Sequence, residues 1–130
     1  TEVDGVMPGH KLTKIVELKN TGTNPAYIRI KVEKAIALLE MSGTIPDLDL
    51  IKLDYNTSDW TDGGDGFYYY NRALEAGDLT EPLFTTVSFD ISMGNIYQKS
   101  KATISVKAYA VQVANQDVTN PWDAKGWPEG

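Results

Sequence analysis

Alternation of apolar and polar residues with a period of two runs through most of this chain, and it restricts the fold more than any other feature. Over Ala26 to Val32, the residues Ile28, Ile30 and Val32 fall in one phase and Tyr27, Arg29 and Lys31 in the other. Successive side chains of a strand point to opposite faces, so this pattern is that of a half-buried strand. Lys11 to Lys19 repeats it, with Leu12, Val16 and Leu18 in phase and Ile15 out of it. The link Asn20-Thr21-Gly22-Thr23-Asn24-Pro25 is dense in turn formers, so two antiparallel strands joined by a loop are expected.

The pattern recurs downstream. Ile51, Leu53 and Tyr55 share one phase, as do Leu83, Val87, Phe89 and Ile91. Lys101 to Val113 is the longest candidate. Ile104, Val106, Ala108 and Ala110 occupy one face, and Tyr109, Val111 and Val113 the other. Apolar residues on both faces of its second half imply a central strand or contact with another chain. Glu33 to Met41, rich in Glu, Lys, Ala and Leu, reads instead as a short helix or irregular crossover. Short strands separated by Gly, Asn, Asp and Pro clusters imply an all-β fold, a single antiparallel β-sandwich of jelly-roll or immunoglobulin-like type.

At 130 residues the chain fits one domain over 1–130. Residues 118–130 read as an extended tail whose Trp122 and Trp127 either fold back on the sandwich or dock elsewhere. The first residue is Thr1, which suggests a trimmed or processed piece with its N-terminal strand cut short. Twelve basic against eighteen acidic residues leave a net charge of −6, which repels phosphate backbones and anionic membrane surfaces. No nucleic-acid partner and no membrane insertion are expected. The absence of cysteine removes disulfides, thiolate metal sites and cysteine nucleophiles.

Catalytic candidates are few. His10 is the only histidine and sits in a Pro-Gly-His-Lys turn, so no multi-histidine metal site fits within one chain. No serine lies in a nucleophile-elbow sequence, and Gly63-Gly64 lies among carboxylates that would repel phosphate. No catalytic residue and no enzymatic activity are therefore expected. The acidic loop is the one metal candidate. Asp54, Asn56, Ser58, Asp62 and Asp65 place alternate oxygen ligands as a calcium loop begins. Position six holds Asp59 where such a loop needs Gly, and position twelve holds the short Asp65. Turn-forming residues gather in β-loops for backbone reasons alone, so a plain solvated loop is the competing and favoured reading.

Four consecutive aromatics, Phe67-Tyr68-Tyr69-Tyr70, form a further strand signal. Phe67 and Tyr69 would face one way and Tyr68 and Tyr70 the other, with one pair in the core. Tyr68 and Tyr70, if outward, would suit a carbohydrate or protein ligand, and cross-strand packing is the plainer role. Trp60 reads as a packing anchor.

Val6-Met7-Pro8-Gly9, Leu18-Lys19-Asn20-Thr21-Gly22, Ala26 to Val32, Trp60, Asp65 to Asn71, Gly77, Thr80, Pro82-Leu83-Phe84 and Ala108 to Gln112 follow one another in an order that carries a resemblance. The chain resembles the alternate-signal-mediated exported proteins of Gram-positive bacteria, relatives of camelysin and of TasA-like biofilm matrix proteins, from about Val6 to Trp122. The resemblance implies a secreted subunit of the cell surface or matrix, self-associating or joining related subunits by β-strand donation. The alternative is a monomeric surface module for adhesion to carbohydrate or a host protein. Lys11, Lys14 and Lys19 would guard the first strand's edge against unwanted pairing.

Overall fold

The structure, a computed structural model, describes residues 2–4, 7–38, 46–92, 97, 100–114, 116 and 118–128. It is all-β. The strands are β1 (Glu2–Asp4), β2 (Lys11–Val16), β3 (Ala26–Ala37), β4 (Ile51–Leu53), β5 (Trp60–Asp62), β6 (Phe67–Tyr70), β7 (Phe84–Phe89) and β8 (Lys101–Gln112). They form two antiparallel sheets of a β-sandwich, ordered β1-β8-β3-β6-β5 and β2-β7-β4. Pairing of the first strand with the last is the jelly-roll order. An immunoglobulin-like order would place the first strand beside the second.

Glu33–Ala37 corrects the expectation of a helix or crossover, because β3 continues through it for twelve residues in all. Pairing with β8 overrides a local preference that stays well under ~1 kcal/mol per residue. Residues 39–41 of that expected crossover lie outside the described residues.

The chain divides into two compact units. The first comprises Thr1–Lys14, Glu33–Asp54 and Thr85–Ser105, and the second Ile15–Val32, Tyr55–Phe84 and Val106–Gly130. In the first unit, Ile51, Val87, Phe89, Ala102 and Ile104 are buried. The ladder there pairs Ile51 with Phe89 and Leu53 with Val87. His10 is exposed in its turn and lies parallel to Phe89, the ring centroids 6.5 Å apart. In the second unit, the core is Ile28, Ile30, Trp60, Tyr70, Leu74, Leu83 and Phe84. Ile15, out of phase in the sequence, is 57% exposed, as its position on β2 demands.

The sheet order puts β2 at an edge, with Lys11 exposed on it and Lys14 half-buried. Beyond β2 the chain pairs by single bridges, Lys19 with Leu79 and Ala26 with Leu74. A buried Asn20 holds this segment. Its Nδ2 donates to the carbonyls of Asn24 and Leu74, both at 2.9 Å, and its Oδ1 accepts from the Gly22 N–H at 2.9 Å. Every polar atom of the side chain is thus used, which is what allows an amide to be buried here.

Candidate functional site

The residues of the expected calcium loop have hydrogen-bond partners within the chain. The Asp54 carboxylate accepts from the Thr85 N–H at 2.8 Å, the Thr85 hydroxyl at 2.8 Å and the Thr86 N–H at 2.7 Å. Partial burial opposes its charge, but these hydrogen bonds hold its carboxyl below the usual range. Asn56 Oδ1 accepts from the Ser58 and Asp59 N–H groups, and its Nδ2 donates to Asp59 at 2.8 Å. The Ser58 carbonyl takes the Asn71 amide, and Asp62 caps the Gly64 N–H at 2.9 Å. Asp65 accepts from the Phe67 N–H at 3.0 Å and from the Tyr69 hydroxyl at 2.6 Å. Among the described residues no three acidic or histidine side chains gather where a cation could sit. These hydrogen bonds engage the loop's oxygens at turns and strand ends.

The aromatic strand also departs from expectation, because both of its faces are covered. Tyr70 is 2% exposed, with its ring tilted against Trp60 at 4.9 Å and its hydroxyl accepting from Arg72 and from the Glu81 N–H. This corrects its reading as an outward ligand contact. Tyr68 is half-buried and stacks on Tyr55. On the other side, the Arg29 guanidinium lies 3.9 Å from the Phe67 ring and 4.6 Å from the Trp127 ring. Arg29 donates to the Tyr69 hydroxyl at 3.3 Å, and that hydroxyl in turn donates a hydrogen bond to Asp65. Burial and the Asp65 carboxylate together raise the Tyr69 phenol above its usual value.

Trp127 belongs to the tail, which folds back within this unit. Gln116 clasps Lys125 by two hydrogen bonds, and Pro121 and Ala124 are buried. Trp127 meets Tyr69 edge-on at 5.9 Å. The Arg29 cluster escaped the sequence reading because its members lie on β3, β6, β8 and the tail. The one local signal was Gly63. A Cβ there would lie 2.5 Å from the Tyr69 ring, so glycine is required beside a tyrosine packed onto the hairpin.

The remaining candidate is an edge. β1 pairs with β8 only from Lys101 to Thr103. Among the described residues, Val106–Gln112 has β3 as its one strand neighbour. The phase that buries Ala102 and Ile104 completely on β8 continues to Ala108 and Ala110, which are both exposed. Beside them runs an open groove of about 350 Å³, lined by Leu18, Asn20, Ile28, Ala108, Ala110 and Gln112 among others. Apolar residues on both faces of this segment are thereby accounted for on one side only, where Tyr109 and Val111 pack toward the tail. Tyr109 meets Phe67 at 5.7 Å, and Gly126 approaches the Val111 methyl group.

No protein-family model matches the chain, and no curated protein and no solved structure matches it. Among the described residues, no helix is long and apolar enough to cross a membrane.

Proposed function

We propose that the chain is an exported structural subunit of a cell surface or biofilm matrix, which assembles when a neighbouring copy or a related subunit lays a β-strand along Val106–Gln112. The observation that carries this reading is the Val106–Gln112 edge, which among the described residues has a strand on one side only, beside the open groove. Strand addition requires free N–H and C=O groups in a row, together with space for alternate side chains of the incoming strand. Both requirements meet at β8, where Ala108 and Ala110 leave room that larger residues would fill. The strands β2 and β8 each carry an exposed lysine, Lys11 and Lys107, a charge that tempers indiscriminate pairing. The all-β fold, and an order of motifs that resembles that of exported matrix proteins, support the same reading.

The test is assembly of the exported, leader-processed protein, followed by light scattering after size exclusion and by negative-stain microscopy. Filaments or oligomers are expected, and they should be lost when Ala108→Arg or Ala110→Arg fills the groove while circular dichroism stays unchanged. Monomers at every concentration would overturn strand addition and favour a monomeric adhesion module.

A further inference from the structure

Tyr55 and Tyr68 stand apart from the other tyrosines. Their rings stack with centroids 4.4 Å apart and planes 16° from parallel, the one tyrosine–tyrosine ring contact among the described residues. Phe84 meets Tyr55 edge-on at 5.9 Å and braces the pair. Stacking at this distance keeps ring carbons of the two phenols close to one another. Both residues are half-buried, which leaves a small oxidant access while the strand and its neighbours hold the rings. Asp62 pairs with Tyr68 in the β5–β6 ladder, and paired residues project to the same face. Its carboxylate offers a route for a phenolic proton to solvent. The remaining tyrosines with described hydroxyl contacts are committed elsewhere: Tyr69 to Asp65, Tyr70 to Arg72 and Tyr97 to the Asp47 N–H.

We infer that Tyr55 and Tyr68 form an oxidative cross-linking site, which hydrogen peroxide acting with a haem peroxidase converts to an intrachain dityrosine. Each phenol loses one electron and its hydroxyl proton, giving two phenoxyl radicals. The radicals join through one ortho carbon of each ring, forming a single carbon–carbon bond. The hydrogen on each joined carbon then moves to the adjacent oxygen and restores the phenol. The two electrons and two protons reduce one peroxide to two waters, so the chain loses two hydrogens in all. The rings must turn from stacked to edge-joined, which their partial exposure permits. The product would tie the segment after β4 to β6 covalently, independently of assembly at the β8 edge.

The experiment treats dilute protein with hydrogen peroxide and a haem peroxidase, then measures dityrosine fluorescence, intact mass and the cross-linked peptides after digestion. The expected result is a monomer lighter by two hydrogens, its yield independent of protein concentration, with the bond mapped to Tyr55 and Tyr68. Tyr55→Phe and Tyr68→Phe should each abolish the intrachain product while keeping the stack and the thermal midpoint. Tyr109→Phe should leave the yield unchanged. An unmodified monomer, a bond mapped to another pair, or product surviving in both phenylalanine variants would overturn the inference.

Discussion

Replacing Asn20 tests how the wall of the groove is held. In Asn20→Ala three side-chain hydrogen bonds vanish, each contributing about 0.5–1.5 kcal/mol net. The Leu74 carbonyl keeps a second donor, the Ala26 N–H at 3.0 Å, and Gly22 and Asn24 lie on an exposed turn that water can reach. Few groups are therefore orphaned, and the loss should fall in the lower half of the range, about 2 kcal/mol. Asn20→Asp is nearly isosteric but replaces a donor facing two carbonyls with a charged acceptor. At about pH 7 it should cost more than alanine, about 3 kcal/mol or more, because the buried charge meets repulsive dipoles. That environment raises the folded-state pKa of the new carboxyl above its unfolded value. The penalty is accordingly full above the folded value and shrinks as pH falls toward the unfolded value of about 3.9. Urea unfolding followed by tryptophan fluorescence at about pH 7 and about pH 4 measures both variants against the parent. A cost for Asn20→Ala below about 0.5 kcal/mol, or an Asn20→Asp deficit equal at the two pH values, would refute the account.

Other consequences can be checked with the same assay. Trp60→Ala should cost about 3–5 kcal/mol, since a 2% exposed indole and its 3.0 Å hydrogen bond to the Glu81 carbonyl are both lost. Trp127→Ala removes one face of the Arg29 stack. It should let protease cut the tail well before the sheets, with a small stability change of about 0.5–1 kcal/mol. The carboxyls of Asp54, Asp59, Asp65 and Asp90 all lie below their usual range in the folded chain. The stability they contribute is full above the unfolded value of about 3.9 and is lost as pH falls through the lower folded values. Asp54→Asn should therefore flatten the acid limb of a thermal-midpoint profile, and an unchanged slope would count against its hydrogen bonds to Thr85 and Thr86.

Period two was enough to place β2, β3, β4, β7 and β8, because each buries one phase more than the other. It failed at Glu33–Ala37, where the preference of Glu, Lys and Ala for helix is local and the strand partner is β8, far along the chain. The partners of the acidic loop were hidden for a related reason. Asp54 caps the start of the Thr85–Thr86 segment, 31 residues away, and no spacing rule within a loop registers such a partner. The aromatic run gave its strand correctly, but alternation states only that neighbours face apart. What covers each face, Trp60 for Tyr70 and the tail with Arg29 for Tyr69, is tertiary.

Arg29 explains why only one side of the β8 segment is open. The Arg29 guanidinium lies against the Phe67 and Trp127 rings, and its Nε has no hydrogen-bond partner among the described residues. The stack thus covers the face bearing Tyr109 and Val111 with the chain's own tail. Nothing comparable covers Ala108 and Ala110 among the described residues, although the same phase of β8 is fully buried at Ala102 and Ile104. Small side chains there do not close the groove themselves, and the one charge on Val106–Gln112 is Lys107, in the opposite phase from Ala108 and Ala110. Under the proposed strand addition, alanine at both positions leaves space for alternate side chains of the incoming strand.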